Sequence, residues 1–153
     1  MQGNVHQSIE AFTRAAGALA GGLPGGPVAV IVAEDGCELP GTLAHHAARG
    51  FAVLIVLAPG ELGLEGLPEA AGRAALHVVR HPVRRPGAVE AAINALIAVL
   101  SGRWLYVGYN AEYLFYPFCE QRSVGEMLTF HEGERRSAML ACTVDLYAED
   151  LEA

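Results

Sequence analysis

Apolar and polar positions alternate along this chain in two rhythms. The first is helical: Ile9, Phe12, Ala16 and Leu19 recur at spacings of three and four, which places them on one face of a helix. Asn4 with Gln7 three residues on is a capping-box arrangement for its start. The run Gly21-Gly22-Leu23-Pro24-Gly25-Gly26 then breaks the helix. Residues 1–26 therefore read as an N-terminal helix and a Gly-rich joint, an appendage to the domain spanning 27–153.

From Val28 the second rhythm takes over. VAVIVA is a short, continuous apolar run rich in β-branched residues, as expected of a strand buried on both faces. After the polar turn Glu34-Asp35-Gly36, the segment CELPGTLAHHAARG reads as a helix with Leu39, Leu43 and Ala47 along one face and Gly50 closing it. FAVLIVLAP and ALHVV supply a second and a third strand, and PGAVEAAINALIAVL a helix whose interior polar residues, Glu90 and Asn94, share one side. WLYVGY is a fourth strand. Ser123 with Glu126 opens a further helix running to about Glu132, and SAMLACTVDLY closes the pattern as a fifth strand. Strands alternating with helices predict an α/β fold: a single three-layer domain with a mostly parallel sheet, preceded by the N-terminal helix.

Composition narrows the function classes. The 153 residues are 52% apolar with a net charge of −7, and all ten basic residues are Arg. That acidic balance argues against nucleic-acid binding, which needs a dense positive surface. The local cluster Arg80, Arg84 and Arg85 around His81 reads as a solvated loop. The longest strongly apolar stretch, Phe51 to Pro59, falls short of the roughly 18 residues of a membrane span, so none is expected. The N-terminus lacks a signal-peptide pattern, which makes the cytoplasm the expected compartment. Cys37, Cys119 and Cys142 have no metal-ligand spacing and read as buried, reduced thiols.

Ligands of open parallel sheets bind beyond the carboxyl ends of the strands, so chemistry is sought in Glu34-Asp35, Pro59-Gly60-Glu61 and Asn110-Ala111-Glu112. No GxGxxG follows a strand, no phosphate-loop lysine exists, and no GxSxG elbow appears. A hydrolase reading therefore lacks a nucleophile. His45 and His46 are adjacent on a helix, about 100° apart, and cannot chelate one metal together; one is expected buried and the other exposed.

The segment EDGCELPGTLAHHAARGF followed by AVLIVL resembles the start of a family 2-like glycosyltransferase of the GT-A fold. Glu34-Asp35 stand where that family has an Asn-Glu pair, with Leu39, His46 and Gly50-Phe51 in the corresponding places. YNAEYLFYPFCEQRSV resembles the family's D-x-D-E-F-L stretch and the Tyr-Pro segment after it, matched by Glu112, Leu114, Tyr116 and Pro117, with Tyr113 replacing Phe. VDLYAEDL resembles the strand that follows. The resemblance implies a nucleotide-sugar-binding half, with Glu34, Asp35, Asn110 and Glu112 lining the nucleotide cleft. It also implies a Mn²⁺ or Mg²⁺ ion at the D-x-D place, which here reads Tyr109-Asn110-Ala111 and leaves only Asn110 and Glu112 as ligands.

Two readings follow. One is a glycosyltransferase-like domain that binds a nucleotide sugar and is truncated or catalytically impaired. The other is a non-catalytic interaction domain that binds a protein partner or forms a homo-oligomer through the N-terminal helix.

Overall fold

The computed structural model describes residues 4–18 and 22–145. Its elements run β1 (Asn4–His6), α1 (Ile9–Ala18), β2 (Val28–Val32), α2 (Leu39–Ala48), β3 (Val53–Ala58), α3 (Leu67–Ala70), β4 (Ala75–Arg80), α4 (Ala88–Val99), β5 (Leu105–Tyr109) and α5 (Val124–Gly133). The five strands form one sheet in the order β1-β4-β3-β2-β5, and every pairing is parallel. The fold is α/β, compatible with a single three-layer, Rossmann-like domain.

Sequence explains the layers. β2 and β3 lie in the middle of the sheet and are buried along their whole length, which is why their sequences are continuous apolar runs rather than alternating ones. Successive side chains point to opposite faces. Ala29, Ile31, Leu54 and Val56 pack against α2, α3 and α5 through Leu39, Leu43, Leu67, Val124 and Leu128. Val28, Val30, Val32, Val53, Ile55 and Leu57 pack against α1 and α4 through Ile9, Phe12, Ala92 and Leu96.

Two helix ends follow their sequence signals. Past α2, Gly50 adopts φ +91° and donates to the Ala47 carbonyl, while the Phe51 amide donates to His46, a Schellman closure. Ser123 caps α5 with a reciprocal capping box: its hydroxyl accepts from the Glu126 amide, and the Glu126 carboxylate accepts from the Ser123 amide.

Three expectations are corrected. The N-terminal segment is not an appendage: Asn4, Val5 and His6 pair with His77, Val78 and Val79, and α1 buries Ile9 and Phe12 on the sheet. α1 thereby spends its apolar face within its own chain, which removes the basis for oligomerisation through it. Because Asn4 is in a strand, the capping atom is the Ser8 hydroxyl, accepting from the Ala11 amide at 3.2 Å. Second, residues 137–145 form no strand and are exposed throughout; the fifth strand is β1 instead. Third, only Cys119 of the three thiols is buried, while Cys37 and Cys142 are exposed. Leu19, Gly21 and residues 146–147 of the expected strand lie outside the described residues.

Candidate functional site

Among the described strands the direction of stepping along the sheet changes at β2 and again at β4. From β2 the chain steps outward to β3 and β4, then returns across the sheet through α4 to place β5 on the other side of β2. The connections leaving β2 and β5 both run over the face that carries α2 and α5 and meet at the carboxyl ends of the strands, whereas those leaving β3 and β4 part to opposite faces, toward α3 and α4. Glu34 and Asp35 follow β2, and Asn110 and Glu112 follow β5. Asn110 meets Glu34 and Asp35 where these two loops touch, whereas the Glu112 carboxylate lies on the outer side of β5, on the outward-facing Tyr109 amide.

Asn110 joins the two loops. Its Oδ1 accepts from the Glu34 amide at 3.1 Å, and its Nδ2 donates to Asp35 Oδ1 at 2.9 Å and to the Cys37 carbonyl at 3.0 Å. Asp35 Oδ1 also accepts from the Cys37 amide at 2.8 Å, an Asx turn. Glu112 folds back on its own turn, its Oε2 accepting from the Tyr109 amide at 2.8 Å. The Asn110 carboxamide is committed to the loop, and each carboxylate retains one oxygen outside these bonds.

The first turn of α2 packs against the loop after β5. The Thr42 hydroxyl accepts from the Ala111 amide at 2.9 Å and donates to the Glu38 carbonyl at 2.9 Å. The Tyr113 hydroxyl donates to Glu38 Oε2 at 3.1 Å. Burial, and after it that bond, pushes the Tyr113 phenol above its ordinary value. Glu38 and Ala111 hold left-handed backbone at φ 52° and 65°, a strained conformation for residues with a Cβ. Both strained residues sit where the loop after β5 meets the start of α2.

A positive group reaches the same edge. Arg84, in the loop after β4, donates to the Glu34 carbonyl and lies 3.5 Å from Glu61 of the loop after β3. It borders a concavity of about 400 Å³ shared by Pro59, Glu61, Arg80, His81 and Arg85. The basic cluster is therefore divided. Arg80 ties the 59–62 loop down by donating to the Pro59 and Leu62 carbonyls at 2.8 and 2.9 Å. Arg84 and Arg85 are exposed on the carboxyl edge. Sequence alone gave Arg84 no role, because its partner is 50 positions away and is a backbone carbonyl.

The histidines have separate fates. His46 is fully buried, donating from Nδ1 to the Thr42 carbonyl at 2.8 Å; its Nε2 has no hydrogen-bond partner among the described residues. Burial drives its pKa down to about 4. His45 is half-buried, its Nε2 bonded to the Leu114 carbonyl at 2.9 Å. Beside His46, burial and then the Glu112 charge push the Tyr106 phenol up to about 12. At the far edge, His6 and His77 meet at 3.2 Å beneath α1, beside a concavity of about 460 Å³ lined mainly by apolar residues. That hollow lies along the β1 edge rather than beside the loops after β2 and β5.

A hard divalent cation wants about six oxygen ligands. The described residues bring no group of three ligating side chains together, and one oxygen of Glu112 beside a committed carboxamide fits such an ion poorly. Among the described residues no helix is long and apolar enough to cross a membrane. The chain matches no family model, no curated protein and no solved structure.

Proposed function

We propose that this chain is a glycosyltransferase-like domain that binds a nucleotide sugar at the carboxyl edge of its sheet. The observation that carries the reading is the meeting of Glu34, Asp35 and Asn110, with Arg84 beside them, at the carboxyl edge of the sheet. Asp35 and Glu34 are suited to accept hydrogen bonds from ribose hydroxyls and base N–H groups. The positive end of the α2 dipole lies at the same edge of the sheet.

In this reading the diphosphate lies toward Arg84 and Arg85, whose guanidinium groups bond phosphate oxygens in a bidentate fork. Arg84 replaces its contacts to Glu34 and Glu61 with phosphate contacts. Because the Asn110 and Glu112 donors fit a divalent cation poorly, no step is routed through a metal ion. Binding, rather than turnover, is the activity assigned.

A thermal-shift panel of UDP-, GDP-, CDP- and dTDP-sugars, each with and without Mn²⁺, tests this. A ligand at a hundredfold excess over Kd stabilises the native state by about 2.7 kcal/mol. One nucleotide is expected to raise Tm without Mn²⁺, and Arg84→Ala and Asp35→Ala are each expected to diminish the shift. A flat panel refutes the reading and favours the interaction domain, to which the exposed side chains of Phe115, Phe118 and Phe130 lend support.

A further inference from the structure

We propose that residues 138–144 of one copy of this chain add as an outer strand to the free edge of β5 in a second copy. The edge is open: β5 pairs with β2 on one side, and among the described residues no strand pairs with the other. In a parallel ladder alternate residues face each neighbour. The bonds from Val28 N–H to the Trp104 carbonyl and from Asn110 N–H to the Val32 carbonyl assign the even-numbered residues to β2. Leu105, Val107 and Tyr109 therefore direct their backbone groups outward. Glu112 caps the Tyr109 amide, leaving the outward groups of Leu105 and Val107 for another strand.

The face above this edge is also bare. Val107 and Tyr109, 43% and 42% exposed, project on the side that α1 and α4 cover elsewhere. An unblunted strand edge flanked by apolar side chains is a template for strand addition.

The occupant is present in the chain. Ala138-Met139-Leu140-Ala141-Cys142-Thr143-Val144 carries no charge, no Pro and no Gly, and ends on two β-branched residues. Yet it is unpaired and solvent-exposed, with Leu140 at 93% and Val144 at 75%. A segment of this composition gains by joining a sheet.

Topology withholds the edge from the segment's own chain. β2–α2–β3 and β3–α3–β4 step away from β5 over one face, and β4–α4–β5 steps back over the other, as right-handed crossovers require. α5 packs on the α2 and α3 face, so a parallel strand placed outside β5 after it makes a left-handed crossover. Only about 2% of such connections have that hand. An antiparallel strand has to enter at the carboxyl end of β5. The chain leaves α5 at the opposite end, where Trp104 Nε1 donates to Glu132 at 2.8 Å and the Arg136 amide is still bonded to His131. A second copy carries no such constraint, and reciprocal exchange about a twofold axis closes the assembly.

Light scattering on the full chain, with Ala141→Pro and Val107→Lys variants, tests the proposal. Pro removes a ladder donor from the segment, and Lys places a charge on the acceptor edge. Both positions are exposed, so each variant is expected to retain the wild-type circular dichroism. The wild type is expected at twice the monomer mass at about 100 μM, with both variants monomeric. In the wild-type dimer, hydrogen exchange at Leu105, Val107 and 138–144 is expected to slow together. A wild type that remains monomeric overturns the proposal. So does a dimer that survives both substitutions, or an Ala141→Pro variant that loses thermal stability as a monomer, which places the segment on its own chain.

Discussion

The Asn110 carboxamide holds the Asp35 carboxylate between the loops after β2 and β5, Nδ2 to Oδ1 at 2.9 Å, and the same carboxamide accepts the Glu34 amide. One side chain thus fixes two loops that are 75 residues apart in the chain. The relationship assigns Asn110 a positioning role, in contrast to the ligand role that the D-x-D resemblance implies for it.

Asn110→Ala removes three hydrogen bonds at a partly exposed site. The expected cost is about 1–2 kcal/mol, since exposed partners regain water, and Tm falls by about 4 °C. Asn110→Asp is expected to be worse than Ala, because it sets a carboxylate against Asp35. Thermal melts of the two variants decide the order; an Asp variant as stable as wild type contradicts the geometry.

Stability is expected to fall in mild acid. Burial holds His46 and His77 at about 4 in the folded state, below the ordinary 6.5. Between those values the unfolded chain binds more protons than the folded one, so stability is complete above about pH 6.5 and is lost as pH falls toward 4. The His46 imidazole contributes on the order of 3 kcal/mol across that window, and His77, better screened by solvent, contributes less. Urea midpoints measured at a series of pH values check this, and His77→Gln is expected to flatten the slope. A midpoint constant from pH 7 to 4.5 contradicts the buried, neutral assignment.

Gly50→Ala is expected to cost about 1–2 kcal/mol. Its φ of +91° is unfavourable to any residue with a Cβ, and that Cβ would meet Ser123 at 3.2 Å. The substitution therefore strains the end of α2 and the start of α5 together. Chemical denaturation measures the loss; an unchanged midpoint means that the Gly50 turn relaxes freely.

The fold was largely legible because its central strands are buried on both sides, and continuous β-branched runs such as VAVIVA and FAVLIVLAP leave few alternatives. Gly50 and the Ser123/Glu126 box were legible because caps act locally. β1 was not: three residues, two of them polar, carry no periodicity, and only pairing with His77–Val79 makes Asn4–His6 a strand. The segment 137–145 misled in the opposite direction. Its composition suits a strand, but the handedness of the chain withholds a place for it in its own sheet. Position after a strand was enough to place Glu34, Asp35, Asn110 and Glu112 at the carboxyl edge of the sheet, though not to show that Glu112 turns back onto the outward Tyr109 amide. Thr42, Glu38, Tyr113 and Arg84 were invisible, since each acts through a partner dozens of residues away.

The central claim is that a nucleotide sugar binds at the carboxyl edge of the sheet, against the loops after β2 and β5. Amide chemical-shift mapping during titration with the nucleotide sugar that gives the largest thermal shift tests it most directly. The account predicts saturable shifts confined to Glu34–Cys37, Arg84–Arg85 and Asn110–Glu112, weakened at least tenfold in affinity by Arg84→Ala, which corresponds to about 1.4 kcal/mol. Shifts centred on the His6–His77 edge instead, or no saturable shifts at all, contradict it.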